Sequence, residues 1–262
     1  MKRIQSLFAR AHAEKRCAVI AYVTCGDPNR ETTPRIVEAL EAAGADAIEL
    51  GVPFSDPIAD GPVIQAAAHR ALAKGITIED VFTIARKVRE RSQIPLIAFS
   101  YLNPIVRYGT EKFAKAASEA GIDSVLLTDL PPEAAKEIRT IFRAHNLGMI
   151  FLLAPTSTDA RIAAIDRASD GFVYYVSTTG VTGTRTDLDP SLLTRLDEIR
   201  GKLRKPIAVG FGISRKEHYE LLRDHCDAIV VGSAIVRAIA DGDADGAPER
   251  AGAVMSGIVD GT

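Results

Sequence analysis

Glu49 interrupts the apolar run AIELGV, residues 47–52, and a carboxylate inside a buried strand is rarely tolerated without a partner. It reads either as a structural acid held by an ion pair or hydrogen bonds, or as a proton carrier. Its location favours the second, because perturbed carboxylates gather at catalytic sites and burial would raise its pKa toward neutrality. A little further on, the proline-stiffened loop PFSDPIADGP carries Asp56 and Asp60. Asp60 stands level between two readings. It is a second proton-handling group, or the start of a turn into a helix with Pro62 at its first position. Asp56 reads as a turn or surface residue.

A different chemistry is written in the C-terminal third. Gly180-Val181-Thr182-Gly183, Gly210-Phe211-Gly212 and Gly232-Ser233, the last opening a helical stretch at Ala234, are three glycine turns. Glycine lets backbone N–H groups approach an anion, and a helix start adds partial positive charge. One such turn is usually only a turn, whereas three converging on one side of a molecule point to a phosphate. His12, His69, His145, His218 and His225 all fall in helical patterns or at their ends, so no histidine cluster suits a metal. No lysine lies in a strand-like run, which speaks against a Schiff-base lyase built on a strand-end amine.

The elements that must position these groups follow a regular alternation. Apolar runs at 18–24, 46–51, 95–101, 124–128, 148–154, 171–177, 206–210 and 227–232 are nearly continuous, as parallel strands buried on both faces require. Between them lie helical spacings such as Ile36, Val37, Leu40 and Ala43, each able to cover one face of a sheet. Eight strands with intervening helices predict an α/β protein, a single (β/α)8 TIM barrel spanning residues 1–262, with an extra N-terminal helix marked by Ile4, Leu7, Phe8 and Ala11. No strand opens into GxGxxG, which removes the usual dinucleotide signature. In such a barrel chemistry collects at the C-terminal strand ends, which singles out Glu49, the 53–61 loop, Tyr101 with Asn103, Asp129, Tyr174 and the last glycine turns.

Composition excludes several classes. A net charge of −2 leaves no overall basic field to attract nucleic acid or anionic lipid. Cys17, Cys25 and Cys226 are odd in number and lack paired spacing, so free thiols in a reducing compartment are expected. No apolar run reaches membrane-spanning length, and the expected location is the cytoplasm.

The segment ELGVPFSDPIADGPVIQ, residues 49–65, resembles the signature of the α-subunit family of tryptophan synthases. YVTCGDP at 22–28, YLNP at 101–104, DLPP at 129–132, Tyr174 through the turn ending at Gly183, GFGI at 210–213 and GSA at 232–234 follow in that family's order. The resemblance implies retro-aldol cleavage of indole-3-glycerol phosphate to indole and glyceraldehyde 3-phosphate. It implies no cofactor in this subunit, pyridoxal phosphate belonging to a β subunit with which it forms an α2β2 heterotetramer. It also makes Glu49 and Asp60 the acid/base pair and Tyr174 a residue that orients substrate. Gly183, Gly212, Gly232 and Ser233 would hold the phosphate, and Tyr22, Phe99, Leu126, Thr182 and Phe211 would form the indole pocket, though Phe211 equally suits an ordinary core. Two departures matter: Tyr22 stands where many relatives carry phenylalanine, adding a hydroxyl that needs a partner, and Thr178 and Thr179 replace an arginine-containing version of the loop. Three rival readings remain at this point: another phosphate-ligand barrel enzyme such as a phosphoribosyl isomerase, a binding or regulatory subunit without activity, and a free-standing indole-producing lyase.

Overall fold

The computed structural model describes residues 2–176, 190–210 and 212–259. Among them are nine parallel strand segments: β1 (Ala18–Thr24), β2 (Ala47–Gly51), β3 (Leu96–Ser100), β4 (Ser124–Leu127), β5 (Gly148–Ile150), β6 (Leu152–Leu153), β7 (Val173–Val176), β8 (Ile207–Gly210) and β9 (Ala228–Val231). They lie in the order β5-β4-β3-β2-β1-β9-β8-β7-β6. The two ends of that order, β5 and β6, are consecutive in the chain and parted only at Phe151. The Phe151 N–H leaves the ladder to donate to the Ser169 hydroxyl at 3.3 Å, while its carbonyl still accepts from Tyr174 N–H at 3.1 Å. β5 and β6 are therefore two halves of one stave, and the ring closes into the eight-stave barrel that the alternation predicts.

The apolar residues sort into three layers. A large outer layer joins the outward faces of the strands to the surrounding helices, with Ile36, Val37 and Leu40 among its members. An inner layer fills the barrel with Ile20, Ile97, Leu126, Ile150, Ala208 and Val230. The expected N-terminal helix, Lys2–Ala13, inserts Ile4, Leu7, Phe8 and Ala11 into this inner layer, and the Phe8 ring lies 5.5 Å from that of Phe172. That helix plugs the N-terminal end, so the barrel opens only toward its C-terminal end among the described residues. A third, small cluster of Tyr22, Ala67 and Val236, with Val63, Ile64 and Phe99 against it, sits where helices Pro62–Ala73 and Ser233–Ala240 lean over the opening.

At the closed end one device recurs four times. Asp46, Asp123, Asp170 and Asp227 each precede an even-numbered stave, and each grips the stave before it by two bonds. Their own N–H groups donate to the carbonyls of Val19, Leu96, Met149 and Ile207, and their carboxylates accept from the N–H groups of the same residues at 2.9, 3.0, 3.2 and 2.9 Å. An arginine from the segment leading into the gripped stave completes each clamp: Arg16, Arg89, Arg143 and Arg200, at 2.6, 2.9, 2.7 and 2.9 Å. The acids satisfy N–H groups at the strand starts and bring an arginine charge to balance their own burial.

The four clamps differ in depth, which sets an expectation for stability. Asp123 and Arg89 are 3% and 11% exposed, whereas Asp227 and Arg200 are 26% and 41% exposed. Removing one partner of a buried pair strands the other charge and costs ~3–5 kcal/mol, while an exposed pair contributes ~1 kcal/mol or less. In urea unfolding, Asp123→Ala should lose several-fold more stability than Asp227→Ala. Equal losses would show that depth does not govern the clamps.

Candidate active site

β2 is buried along its whole length, and Glu49 is its third residue. The side chain is 1% exposed, and neither carboxyl oxygen has a hydrogen-bond partner. Leaving a buried polar group unpaired costs of order 1–3 kcal/mol and more if it is charged, so the group is held neutral instead. Burial, with the charge of Asp60 second, pushes the Glu49 carboxyl up to about 8. Asp60 lies at the end of the 53–61 loop, just ahead of helix Pro62–Ala73, and is half-buried. Burial raises it to about 6, and a hydrogen bond from Tyr101 pulls in the opposite direction.

Tyr174 on β7 and Tyr22 on β1 face the same space. Burial raises both phenols, and the charges of Glu49 and Asp60 add to the effect on each. In the strand register Tyr22 is level with Glu49, which is level with Ile97. Each tyrosine needs a glycine on the neighbouring strand. A Cβ at Gly51 would stand 2.1 Å from the Tyr22 hydroxyl oxygen, and one at Gly210 would stand 2.5 Å from that of Tyr174. The hydroxyl of Tyr22 does find a partner, accepting from Thr24 Oγ1 at 3.4 Å.

Phe99 meets Tyr22 edge to face at 5.3 Å and packs against both the inner layer and the mouth cluster. Leu126 is wholly buried in the inner layer beneath them. Three of the five indole-pocket candidates thus share one side of the barrel interior. Gly212 follows β8 with a φ of 54° and open space where a Cβ would be. Gly232 caps helix Ser233–Ala240, which begins at Ser233 immediately after β9, and its Cβ position lies 3.5 Å from Tyr22 Cβ. Gly212, Gly232 and Ser233 therefore rim the same opening as the carboxylates. Thr182, Gly183 and Phe211 lie outside the described residues, as do Thr178 and Thr179.

The other strand-end candidates resolve differently. Asp129 accepts from Leu102 N–H at 2.8 Å and so begins helix Leu102–Tyr108, a structural task. Asn103 is exposed on that helix. Asp56 faces solvent and accepts from Ser55 Oγ at 2.5 Å, in keeping with a surface residue. Tyr101, which its strand-end position singles out but to which the sequence assigns no role, accepts from Ala59 N–H at 2.9 Å, one residue before Asp60. Among the described residues no group of three or more His, Cys, Asp or Glu side chains is placed to hold a metal ion, and no helix is long and apolar enough to cross a membrane.

A closed parallel barrel with two electrostatically linked carboxylates at its open end has the make-up of a proton-transfer barrel enzyme. Comparison with known proteins narrows this class. The family model of the tryptophan synthase alpha chain matches residues 8–255. The tryptophan synthase alpha chain of Solibacter usitatus is 52% identical over 239 residues, 91% of this chain and 90% of that one, and that of Geotalea uraniireducens is 43% identical over 98% of this chain and 97% of its own. Among solved structures, tryptophan synthase subunit alpha from Legionella pneumophila superposes with a TM-score of 0.90 at 35% identity, covering 99% of both chains. A chain of the tryptophan synthase complex from Pyrococcus furiosus superposes with a TM-score of 0.87 at 36% identity, covering 93% of this chain and 98% of that one. The chain belongs to the tryptophan synthase alpha chain family.

The raised Glu49 carboxyl has a measurable consequence for the fold. A carboxyl that ionises near 8 when folded and near its ordinary value when unfolded stabilises the protein fully below about 4.5. That stabilisation is lost as pH rises toward 8, at ~1.4 kcal/mol per pH unit for one proton. Glu49→Gln cannot ionise, so its Tm relative to the unaltered protein should rise between pH 4.5 and pH 8.5 by several degrees. A constant Tm offset across that range would mean that Glu49 is not held protonated.

Proposed function

We propose that this chain cleaves indole-3-glycerol phosphate to indole and glyceraldehyde 3-phosphate, as the α subunit of a tryptophan synthase. The observation that carries the reading is the buried, unpartnered Glu49 carboxyl beside Asp60, in a barrel of that family. Near neutral pH the two groups take opposite forms, Glu49 protonated and Asp60 ionised, because their environments separate them. Glu49 gives its proton to the indole ring carbon that bears the side chain, and Asp60 accepts the ring N–H as positive charge builds there. Glu49, now ionised, takes the proton of the adjacent side-chain hydroxyl. The carbon–carbon bond breaks, its electron pair restores the aromatic ring, and Glu49 is again an acid.

In this reading Tyr174 orients the substrate by its hydroxyl, and Tyr22, Phe99 and Leu126 flank the indole, with Thr182 and Phe211 as further candidates. Gly212, Gly232 and Ser233, together with Gly183, offer backbone N–H groups to the phosphate. The steps need only proton transfer, so the reading assigns no cofactor to this chain and leaves pyridoxal phosphate to a β subunit. The three free, buried cysteines suit a reducing compartment, taken here as the cytoplasm.

The phosphoribosyl isomerase alternative asks for no acid beside an indole site, and a purely regulatory barrel has no need to keep Glu49 unpaired. For the partner, the solved tryptophan synthase a2b2 complex from Pyrococcus furiosus supplies the precedent. Two exposed apolar residues of this chain are Ile58, 86% exposed on the loop after β2, and Val106, 55% exposed on the helix Leu102–Tyr108 after β3, and the contact between Phe54 and Tyr101 joins these two segments. We take this pair, on and beside the 53–61 loop, as the docking surface for the β subunit.

Glu49→Gln should reduce indole release by ~10²–10⁴, the range of one general acid/base step, while glycerol phosphate binding stays within a few fold. Retention of most of the turnover would sink the assignment. A cognate β subunit should raise indole production and shift elution to a larger species, and Ile58→Glu should weaken that association by at least about tenfold, the effect of burying one charge in an apolar contact. If the chain alone turns over rapidly and gains nothing from a β subunit, the free-standing lyase reading replaces this one.

A further inference from the structure

Cys17 immediately precedes β1 and Cys226 stands two residues before β9, so both lie at the foot of the barrel, where the first and last staves of the chain meet. The ladder between these staves opens on a bond from Ala18 N–H to the Asp227 carbonyl at 2.9 Å and continues with Ala18 level with Ala228. The two sulfurs are 3.6 Å apart, and both residues are almost wholly buried. Each is also tied to the helix Lys216–Leu222. The Cys226 thiol donates to the Leu222 carbonyl at 3.3 Å, and the Cys17 carbonyl accepts from the Tyr219 hydroxyl at 3.2 Å.

A buried cysteine is ordinarily inert packing. This pair differs in having a second sulfur in contact and a way in from outside. A cavity of about 550 Å³ lies beside the Lys2–Ala13 helix, with Phe8, His12, Arg16, Arg200, Arg223 and Cys226 in its wall. Charged walls keep such a space wet, and it admits a small polar oxidant. Cys17 sits behind Cys226, and the hydrogen bond between the two sulfurs, with burial second, holds the Cys17 thiol well above its ordinary range. Cys25 follows the far end of β1, ~25 Å along the strand at ~3.3 Å per residue, and reaches neither of them.

We infer that Cys17 and Cys226 form a reversible redox pair, open as thiols in a reducing compartment and closed by a peroxide into a disulfide that staples the first stave to the last. The Cys226 sulfur, as thiolate, attacks one peroxide oxygen, the O–O bond breaks, and the departing hydroxide takes a proton and leaves as water. The sulfur is now a sulfenic acid. The Cys17 sulfur then attacks it, the S–O bond breaks, and the hydroxide leaves with the Cys17 proton as a second water. Two thiols and one peroxide thus give one disulfide and two waters, and a dithiol reductant reverses the step by becoming a disulfide itself. A disulfide holds its sulfurs ~2.05 Å apart, so the pair must close by ~1.5 Å, which rotation about the two Cα–Cβ bonds supplies. The bond encloses nearly the whole chain, and the restraint on the unfolded state grows with the loop enclosed.

The reduced chain treated with hydrogen peroxide, quenched with catalase and alkylated in denaturant should fall from three free thiols to one. Peptide mapping should show Cys17 linked to Cys226 within one chain and Cys25 alkylated. The oxidised protein should melt ~5–15 °C above the reduced one and return to the reduced Tm in dithiothreitol. Cys17→Ser should leave a sulfenic acid at Cys226 that a cyclic 1,3-diketone traps, and Cys226→Ser should protect Cys17 from the peroxide. Sulfinic or sulfonic acid at Cys226 without the link, a link to Cys25 or to a second chain, or three untouched thiols would each overturn the pair. A link that leaves Tm unchanged or lower overturns the staple. Should either serine variant fail to fold, the linked peptide and the Tm of the unaltered chain still decide.

Discussion

Closure of the barrel is the constraint from which the rest follows, and it is enforced at the end away from the candidate chemistry. The backbone groups at the starts of the staves are satisfied by the four aspartates that grip Val19, Leu96, Met149 and Ile207, each with its arginine. The Lys2–Ala13 helix is inserted beneath, with its apolar face in the inner layer. The opposite end inherits the strand carboxyl termini, the loops that leave them and one helix start. A ring locked at its foot can carry an unsatisfied group at its mouth without coming apart.

The contrast between Asp46 and Glu49 makes the point in one kind of chemistry. Both are carboxylates, and both are almost wholly removed from solvent, three residues apart in the same chain segment. Burial pushes Asp46 up as well, but hydrogen bonds from Arg16 and the Val19 N–H outweigh it and hold the group below its ordinary range. Glu49 meets no arginine and no N–H, so burial acts unopposed and is joined by the like charge of Asp60. Depth in the fold does not determine which state a carboxyl takes; the partners do. The foot consequently spends its acids on cohesion, whereas the mouth keeps one in reserve with a proton on it.

This division explains which features could be read along the chain. The eight staves were legible because burial on both faces leaves continuous apolar runs, and Glu49 was legible because it breaks one of them. Asp60 stood level with a turn residue, since Asp-Gly-Pro serves either purpose and the Pro62–Ala73 helix does begin there. The clamps were only half visible. Asp46 and Asp123 sit at recognisable helix-to-strand junctions, but the N–H groups they accept from belong to strands 27 residues earlier. Ring closure through the break at Phe151 was invisible, because periodicity reports the faces of a strand and not its neighbours. The same limit hid the bond from Ala59 N–H to the Tyr101 hydroxyl, whose two residues lie 42 positions apart.

Two carboxyls in one cavity would ordinarily compete for a proton, each raising the other, and would exchange roles with small changes in surroundings. Here an asymmetry of surroundings prevents it. Asp60 is half-buried and the Tyr101 hydroxyl favours its ionised form, while no described residue reaches the oxygens of Glu49, which is almost wholly buried. Unequal burial therefore separates the pair into an acid near 8 and a base near 6, on either side of neutral pH. The backbone one residue before Asp60 is fixed in turn, because the Ala59 N–H donates to the Tyr101 hydroxyl at 2.9 Å. The loop that carries Asp60 is thus tied to the end of β3, and the carboxyl that is less deeply buried is held by the barrel and not by its loop alone.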